Sequence, residues 1–354
     1  MKQRIRYARS ADGTAIGWAS LGEGLPLVKT SNCPTHLEYD LQSPVWSHWV
    51  NFFADHFQFV RYDERGCGLS DREVEDLTFD RWVEDLEAVI DAAGIEGPVN
   101  LLGVSKGAAT AIAYAARYPD RVSRIIIYGG YAQGWGARGD PRGAKLAKSI
   151  AELVALGWEM ENPVFRELVT RRYIPGGSEE QVDWYNDLCL RTMTAEMAGR
   201  LLESRADVDV CHLLSRVAVP VLVIHPNRDE VIPFKEGRML ASELPNAEFV
   251  ELETNNHIVL KHEGAWVRFK EAVLDFMERS PMTSRGHAHG LGGLSRRENE
   301  ILSLICEAKS NPEIAAVLSL SERTVRNHAS NLFRKLGVRS RTEAILYLHS
   351  TMRR

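Results

Sequence analysis

Between a short apolar run and an alanine-rich run, the sequence reads Gly103-Val104-Ser105-Lys106-Gly107, a G-x-S-x-G motif. The apolar run, residues 99–103, predicts a buried strand, and residues 106–118 predict a helix. A serine in the turn between them would lie at the upper edge of a sheet, over a helix N-terminus that favours negative charge. Flanking side chains would not fit in so tight a turn, which explains the two glycines. The motif is weak by itself, but this context predicts a nucleophilic serine.

A nucleophilic serine needs a base to accept its proton, and the base needs an acid to orient it. Downstream of Ser105, Asp229 follows the apolar run 219–225, and His257 follows the run 248–252. Both runs predict strands, and open α/β sheets place their sites at the carboxyl ends of strands. We therefore predict that Ser105, Asp229 and His257 form a catalytic triad.

Strand and helix patterns alternate through residues 1–280. A hairpin is predicted at residues 4–19, strands at 25–30, 57–62 and 122–128, and helices at 79–93 and 265–277. This alternation predicts an α/β fold, a mostly parallel sheet with helices on both faces. Residues 131–216 interrupt it with helical, aromatic-rich sequence, which we interpret as a cap over the sheet. The cap's aromatic side chains either line a pocket or form the cap's own core.

Composition bounds the class of protein. The chain has 354 residues, more than the about 250–300 that one core usually holds, so we expect two domains. No apolar run approaches the roughly 18 residues needed to cross a bilayer, and the N-terminus lacks the apolar stretch of a secretory signal. The five cysteines form no CxxC pair, which favours free thiols in a reducing cytoplasm. We expect a cytoplasmic protein without metal or cofactor.

Charge is unevenly distributed along the chain. Residues 281–354 carry 12 Lys and Arg against 6 Asp and Glu, whereas residues 1–280 carry 31 against 42. Residues 281–293 are glycine-rich and poor in apolar residues, as is typical of a linker. An acidic body with a basic tail indicates that the tail alone meets a polyanion.

Residues 294–350 predict four short helices, and the third is the most informative. At roughly 100° per residue, Val325, Ala329, Leu332 and Leu336 fall on one face. The opposite face carries basic and neutral polar residues without an acid: Arg323, Arg326, Asn327, Ser330 and Arg334. A solvated face would more often mix acids with bases. The pattern is typical of a helix that packs by one face and offers the other to base edges and phosphates.

These motifs carry two family resemblances. Residues 1–280 resemble an α/β-hydrolase, because that family has the chain order serine, acid, histidine and a segment like Tyr62-Asp63-Glu64-Arg65-Gly66-Cys67-Gly68-Leu69-Ser70-Asp71. Residues 294–350 closely resemble the LuxR-type DNA-binding helix-turn-helix. The matching stretches are Leu294-Ser295-Arg296-Arg297-Glu298, Asn311-Pro312-Glu313-Ile314-Ala315, residues 321–328 and residues 334–344. The implied architecture is an α/β-hydrolase-fold sensor domain (1–280, cap about 131–216), a linker (281–293) and a small all-α domain (294–354).

The α/β-hydrolase resemblance also implies an oxyanion hole. The family commonly has His-Gly after the strand that ends here at Thr30, and the next backbone N–H donates to the oxyanion. This chain has Ser31-Asn32 instead, so the implied donors are the backbone N–H groups of Cys33 and Lys106. Because asparagine tolerates left-handed backbone better than most residues, we expect the loop to keep its shape. We interpret the Lys106 side chain as a contact for an anionic ligand group.

Three neighbouring residues in the hydrolase-like segment have competing interpretations. Asp63 is better explained as a structural turn residue than as an alternative acid. Glu64 stays open as a catalytic acid. Cys67 as a redox sensor is disfavoured, since it has no basic neighbour in a defined site.

The LuxR resemblance implies roles for the outer face of the third helix and its surroundings. Arg326, Asn327 and Ser330 match positions that read bases, with Arg323 on the same face. Positions near the phosphate backbone are matched by Thr324, His328, Lys335 and Arg339. The implied partner is double-stranded DNA, bound by a homodimer.

The two resemblances together imply a one-component regulator whose hydrolase-fold domain senses a small-molecule ligand, with or without slow ester or lactone hydrolysis. One alternative is a working serine hydrolase, an esterase or lactonase, whose DNA-binding tail regulates its own gene. Another is a constitutive DNA-binding protein whose hydrolase domain is a dimerisation scaffold.

Overall fold

The computed structural model describes residues 3–279, 296–307 and 309–318 and, beyond these, Val325, Ala329, Leu332, Val338 and Ala344. The chain divides into two compact units, residues 1–272 and 273–354. In the described ranges, no helix is both long and apolar enough to span a membrane.

An eight-stranded sheet forms the centre of the first unit. Its strands are β1 (Arg6–Arg9), β2 (Ala15–Leu21), β3 (Pro26–Lys29), β4 (Gln58–Tyr62), β5 (Val99–Val104), β6 (Val122–Tyr128), β7 (Val221–Pro226) and β8 (Ala247–Leu252). They lie in the order β1-β2-β4-β3-β5-β6-β7-β8. The β1–β2 and β2–β4 pairs are antiparallel, and the other pairs are parallel. The predicted strands are confirmed within one or two residues.

Helices cover both faces of this sheet. On one face, Leu101 and Ile125 join a core with α2 (Phe79–Ala92) and α3 (Gly107–Arg117). On the other face, α1 (Ser47–His56) meets α9 (Gly264–Glu278), where the Trp49 ring lies 4.5 Å from that of Phe269 and 4.9 Å from that of Tyr128. A further helix, α8 (Phe234–Glu243), lies between β7 and β8 in the chain. The sequence patterns predicted α2, α3 and α9 but neither α1 nor α8.

The segment between β6 and β7 contains four α-helices and a short 3-10 helix, Cys211–Arg216, and this helical content agrees with the prediction of a cap over residues 131–216. The α-helices are α4 (Pro141–Gly157), α5 (Val164–Tyr173), α6 (Glu179–Thr192) and α7 (Ala195–Glu203). Side-chain caps stabilise the N-termini of α4 and α6. The Asp140 carboxylate accepts a hydrogen bond from the Gly143 N–H before α4, and Ser178 forms a capping box with Gln181 before α6. Both interpretations of the cap aromatics hold, because Trp158 and Tyr185 are buried in the cap whereas Trp135 lines a cavity.

The second unit contains α10 (Arg296–Cys306) and α11 (Asn311–Leu318). Their apolar side chains share one core with residues from farther along the chain: Ile301, Leu302, Ile305, Ile314, Ala315, Val325, Ala329, Leu332 and Ala344 are buried together. Val325, Ala329 and Leu332 are three of the four residues predicted for the inner face of the third helix. The fourth, Leu336, lies outside the described residues.

Candidate functional site: a serine–histidine–aspartate set under the cap

Ser105 lies in a sharp turn between β5 and α3. Within the described part of the chain it is the one non-glycine residue with positive φ, at 53°, a conformation that persists where the surroundings enforce it. Its N–H donates to the Tyr128 carbonyl at 2.9 Å. A Cβ atom at Gly103 would lie 2.7 Å from the Ala108 Cα, and one at Gly107 would lie 2.2 Å from the Thr30 Oγ1. Both glycines are therefore required by close packing, as the motif predicts.

Asp229 and His257 form a direct buried pair. The distance from His257 Nδ1 to Asp229 Oδ2 is 2.6 Å. The other carboxylate oxygen of Asp229 accepts from the N–H groups of Val231 and Ile232 at 2.8 and 3.0 Å. Burial favours a raised pKa for Asp229, but His257 and the backbone donors outweigh it and hold the pKa below its ordinary value. The carboxylate thus stays charged and orients the imidazole.

The second ring nitrogen of His257 is available for proton transfer. Nε2 is buried and has no hydrogen-bond partner among the described residues. Two glycines that follow β6 lie close to these residues. A Cβ at Gly129 would lie 3.1 Å from His257 Cε1, and one at Gly130 would lie 3.3 Å from the Ser105 carbonyl oxygen. Ser105, Asp229 and His257 follow the carboxyl ends of β5, β7 and β8; the Asp229–His257 pair is formed, and the transfer of the Ser105 proton to His257 stays a prediction.

The loop that carries His257 is anchored from several sides. The Val259 N–H donates to the Tyr128 hydroxyl at 3.2 Å, and the Val259 carbonyl accepts from the Trp49 indole at 3.1 Å. The Ile258 N–H donates to the Tyr173 carbonyl of the cap at 3.1 Å. The sheet, α1 and the cap therefore all fix the position of the imidazole.

The Lys106 side chain forms an internal ion pair. Its Nζ lies 2.8 Å from Glu64 Oε1 and 3.8 Å from the centre of the Trp82 ring, and the side chain is buried. Burial lowers the pKa of Lys106, and the neighbouring Glu64 carboxylate opposes that shift. Lys106 also lines the cavity on Ser105, and its contact with an anionic ligand group stays a prediction. Glu64 correspondingly serves as the counter-ion of Lys106 rather than as a partner of His257.

The loop after β3 differs from the expectation in one respect. Asn32 does not take left-handed backbone, and its side chain instead accepts a hydrogen bond from Lys29 Nζ. Cys33 is buried, and its Sγ lies 2.8 Å from the Sγ of Cys67. Both are free thiols. The backbone N–H groups of Cys33 and Lys106 remain the predicted oxyanion donors.

Asp63 and Cys67 have surroundings that fit structural roles. Asp63 accepts from the N–H groups of Leu37 and Leu69 at 3.1 and 2.9 Å, so its carboxylate holds two loops. Cys67 is completely buried, and burial raises the pKa of its thiol well above the ordinary value. A thiol of this kind is largely protonated and unreactive.

A cavity of about 120 Å³ opens on Ser105. Its apolar walls come mostly from the cap and from the loop after Asp229: Tyr131, Trp135, Ile150, Val169, Leu202, Val231 and Ile232. Three arginines, Arg138, Arg172 and Arg205, also line it. These arginines could not be predicted from the sequence, since they are scattered over the cap without a motif.

The residues predicted to contact DNA lie between positions 323 and 339. Arg323, Thr324, Arg326, Asn327, His328, Ser330, Lys335 and Arg339 all lie outside the described residues.

The chain matches two families of known proteins. Residues 47–263 match the family described as serine aminopeptidase, S33, and residues 293–348 match the bacterial regulatory proteins of the luxR family. The 3-oxoadipate enol-lactonase 2 of Acinetobacter baylyi is 25% identical over 274 residues, which cover 75% of this chain and 95% of that protein. The spore germination protein GerE of Bacillus subtilis is 47% identical over 55 residues, 16% of this chain and 74% of that protein.

A solved structure shows the same fold for the first unit. The bromoperoxidase from Bacillus anthracis superposes with a TM-score of 0.64 at 19% identity, over 77% of this chain and 99% of that chain. The chain therefore belongs to the α/β-hydrolases of the serine aminopeptidase S33 family and carries a C-terminal DNA-binding domain of the luxR family.

Proposed function

We propose that this protein is a one-component transcription regulator of the cytoplasm, in which the α/β-hydrolase domain senses a small molecule and the luxR-family domain binds DNA as part of a homodimer. The observation that carries the proposal is the cavity on Ser105, roofed by the cap, in the same chain as a DNA-binding domain. A ligand shifts an equilibrium between two conformations only through a difference in its affinity for them. The cap supplies most of the cavity lining, so its position is the variable that a ligand would stabilise.

The buried Asp229–His257 pair favours a second candidate, a serine hydrolase for esters or lactones. In that reaction, His257 Nε2 accepts the Ser105 proton while Oγ attacks the carbonyl carbon, and Asp229 stabilises the imidazolium. The backbone N–H groups of Cys33 and Lys106 would stabilise the oxyanion. His257 then returns the proton to the leaving oxygen, and water releases the acyl group. We infer slow turnover, subordinate to sensing.

On DNA, we propose that Arg326, Asn327 and Ser330 read base edges. Arg323, Thr324, His328, Lys335 and Arg339 would contact the phosphate backbone or its vicinity. Two such helices in a dimer would reach half-sites about one helical turn apart.

Two assays on one preparation of the intact protein test the proposal. The first measures hydrolysis of 4-nitrophenyl butyrate, and the second measures a mobility shift with DNA from upstream of the protein's own gene. We expect specific DNA binding and weak hydrolysis that Ser105→Ala and His257→Ala both abolish. Rapid hydrolysis without specific DNA binding would favour the hydrolase instead.

A further inference from the structure

We propose that the ligand of the cavity carries a carboxylate in addition to an ester or lactone group, and that Arg205 binds this carboxylate. The inference rests on the proposed function, since it names the chemical class of molecule that the same cavity takes.

Arg205 follows α7 in the cap and lines the same cavity as Ser105. Two of its guanidinium nitrogens, Nε and one terminal nitrogen, are buried and have no hydrogen-bond acceptor among the described residues. Burying such donors without acceptors costs free energy, so buried polar groups nearly always have partners. Arg205 also lines the cavity, and a planar guanidinium matches the two oxygens of a carboxylate in geometry and in charge.

Positive charges outnumber negative charges around Arg205, so an anion would be stabilised there. Glu64 lies 3.7 Å from the Arg205 guanidinium, but the same carboxylate lies 2.8 Å from Lys106 Nζ. One buried negative charge therefore serves two cations. The described residues that line the cavity include Arg138 and Arg172 in addition, and no Asp or Glu.

The two further arginines are held mainly by neutral groups. Arg172 donates to the Glu230 carbonyl at 2.7 Å, and Arg138 donates to the Gln133 carbonyl at 2.8 Å. A carboxylate, Glu236, lies 3.7 Å from Arg138. The cavity as a whole therefore keeps a positive field that favours an anionic ligand over a neutral one.

The size of the cavity limits the rest of the molecule. At about 120 Å³, it is somewhat smaller than the roughly 150 Å³ engineered cavity that holds benzene. A short aliphatic chain of about four to six carbons, with the ester at Ser105 and the carboxylate at Arg205, matches this space and its apolar walls.

The test compares two esters that differ in one terminal carboxylate, monomethyl glutarate and methyl pentanoate. Binding of each to the intact protein carrying Ser105→Ala, which prevents turnover, is measured by titration calorimetry. We expect monomethyl glutarate to bind roughly tenfold or more tightly, as removal of a charge-assisted hydrogen bond typically costs that much affinity. In the double variant with Arg205→Gln the preference should vanish, and with Arg205→Lys it should be partly kept.

Arg171→Gln is the matched control. It removes the same charge from the cap, but Arg171 is exposed and pairs with Glu167 and Glu179, so the preference should persist. Equal binding of the two esters, binding of neither, or a preference that survives Arg205→Gln in a folded protein would each overturn the inference. DNA affinity is measured on the same samples. A carboxylate preference without any change in DNA affinity would leave the inference standing and contradict the sensing function.

Discussion

At the scale of single residues, the turn at Ser105 requires glycine at positions 103 and 107, because a Cβ atom at either position would overlap neighbouring atoms. A G-x-S-x-G motif between a strand and a helix predicts this turn because its steric demands are local. The same reasoning could not predict where the Lys106 side chain lies, with its ammonium group next to the Glu64 carboxylate and the Trp82 ring. That position depends on charges brought in by distant segments. Arg205 escaped prediction for the same reason.

Gly103→Ala tests the steric account of the turn. The new Cβ would lie 2.7 Å from the backbone of Ala108, so we expect the free energy of unfolding to fall by about 1–3 kcal/mol through overpacking. Urea unfolding followed by tryptophan fluorescence measures it, since all eight tryptophans lie in residues 1–272. Gly264→Ala is the control, because a Cβ there meets no atom within 4 Å. Equal effects of the two substitutions would refute the account.

At the scale of elements, Arg65 connects the loop after β4 to two other parts of the fold. Its buried guanidinium contacts the Asp85 carboxylate of α2 at 2.6 and 2.8 Å and the Asp12 carboxylate of the β1–β2 turn at 2.7 Å. The family resemblance identifies this segment, but it does not predict this connection. Three separate segments converge on one side chain, and no local pattern contains that information.

Arg65→Met should leave Asp85 as a buried charge without its partner. We expect a loss of about 3–5 kcal/mol in the free energy of unfolding, the usual consequence of breaking a buried pair. Arg121→Met provides the comparison, since Arg121 pairs with Asp91 at a partly exposed site and should cost less than about 1 kcal/mol. Urea titration of both variants decides the matter, and a similar small loss in each would count against a structural role for Arg65.

The two helices that escaped prediction show where periodicity is insufficient. Helix α8 has Gly237 in its interior, and glycine lowers helix propensity. The structure explains this glycine, because a Cβ there would lie 2.4 Å from the ring of His225. In α1, the buried side chains include His48, which contacts Trp266 of α9. Tertiary contacts of this kind decide which polar residues a helix buries.

At the scale of the whole molecule, the presence of an α/β-hydrolase domain and a luxR-family domain was predictable from the sequence, because each has its own local motif and its own net charge. The difference in net charge between the acidic residues 1–280 and the basic residues 281–354 can be counted directly from the sequence. The residues that line the cavity were not predictable, because they are spread along the chain between Ser105 and Ile232. A pocket assembled from so many segments exists only in the folded chain.

Arg326→Ala tests the assignment of the basic domain to DNA. We expect a loss of about 1–3 kcal/mol in binding to the cognate site and relaxed sequence preference, whereas Lys335→Ala should weaken binding to all sequences alike. Fluorescence anisotropy with cognate and scrambled duplexes at several salt concentrations measures both. The logarithm of affinity should fall with the logarithm of salt concentration, by about 0.9 per phosphate contact. Equal losses on both duplexes for Arg326→Ala would show that this residue does not read bases.

We expect that occupancy of the cavity at Ser105 changes the affinity of the protein for DNA. A fluorophosphonate tests this without knowledge of the natural ligand, because an activated serine displaces fluoride and keeps the phosphonyl group in the cavity. Affinity for upstream DNA is measured on the intact protein before and after labelling, with Ser105→Ala as the unlabelled control. We predict stoichiometric labelling of Ser105 and a change in DNA affinity of at least about fivefold, the lower end of typical allosteric coupling, with no change in the control. Complete labelling with unaltered DNA affinity would contradict the claim.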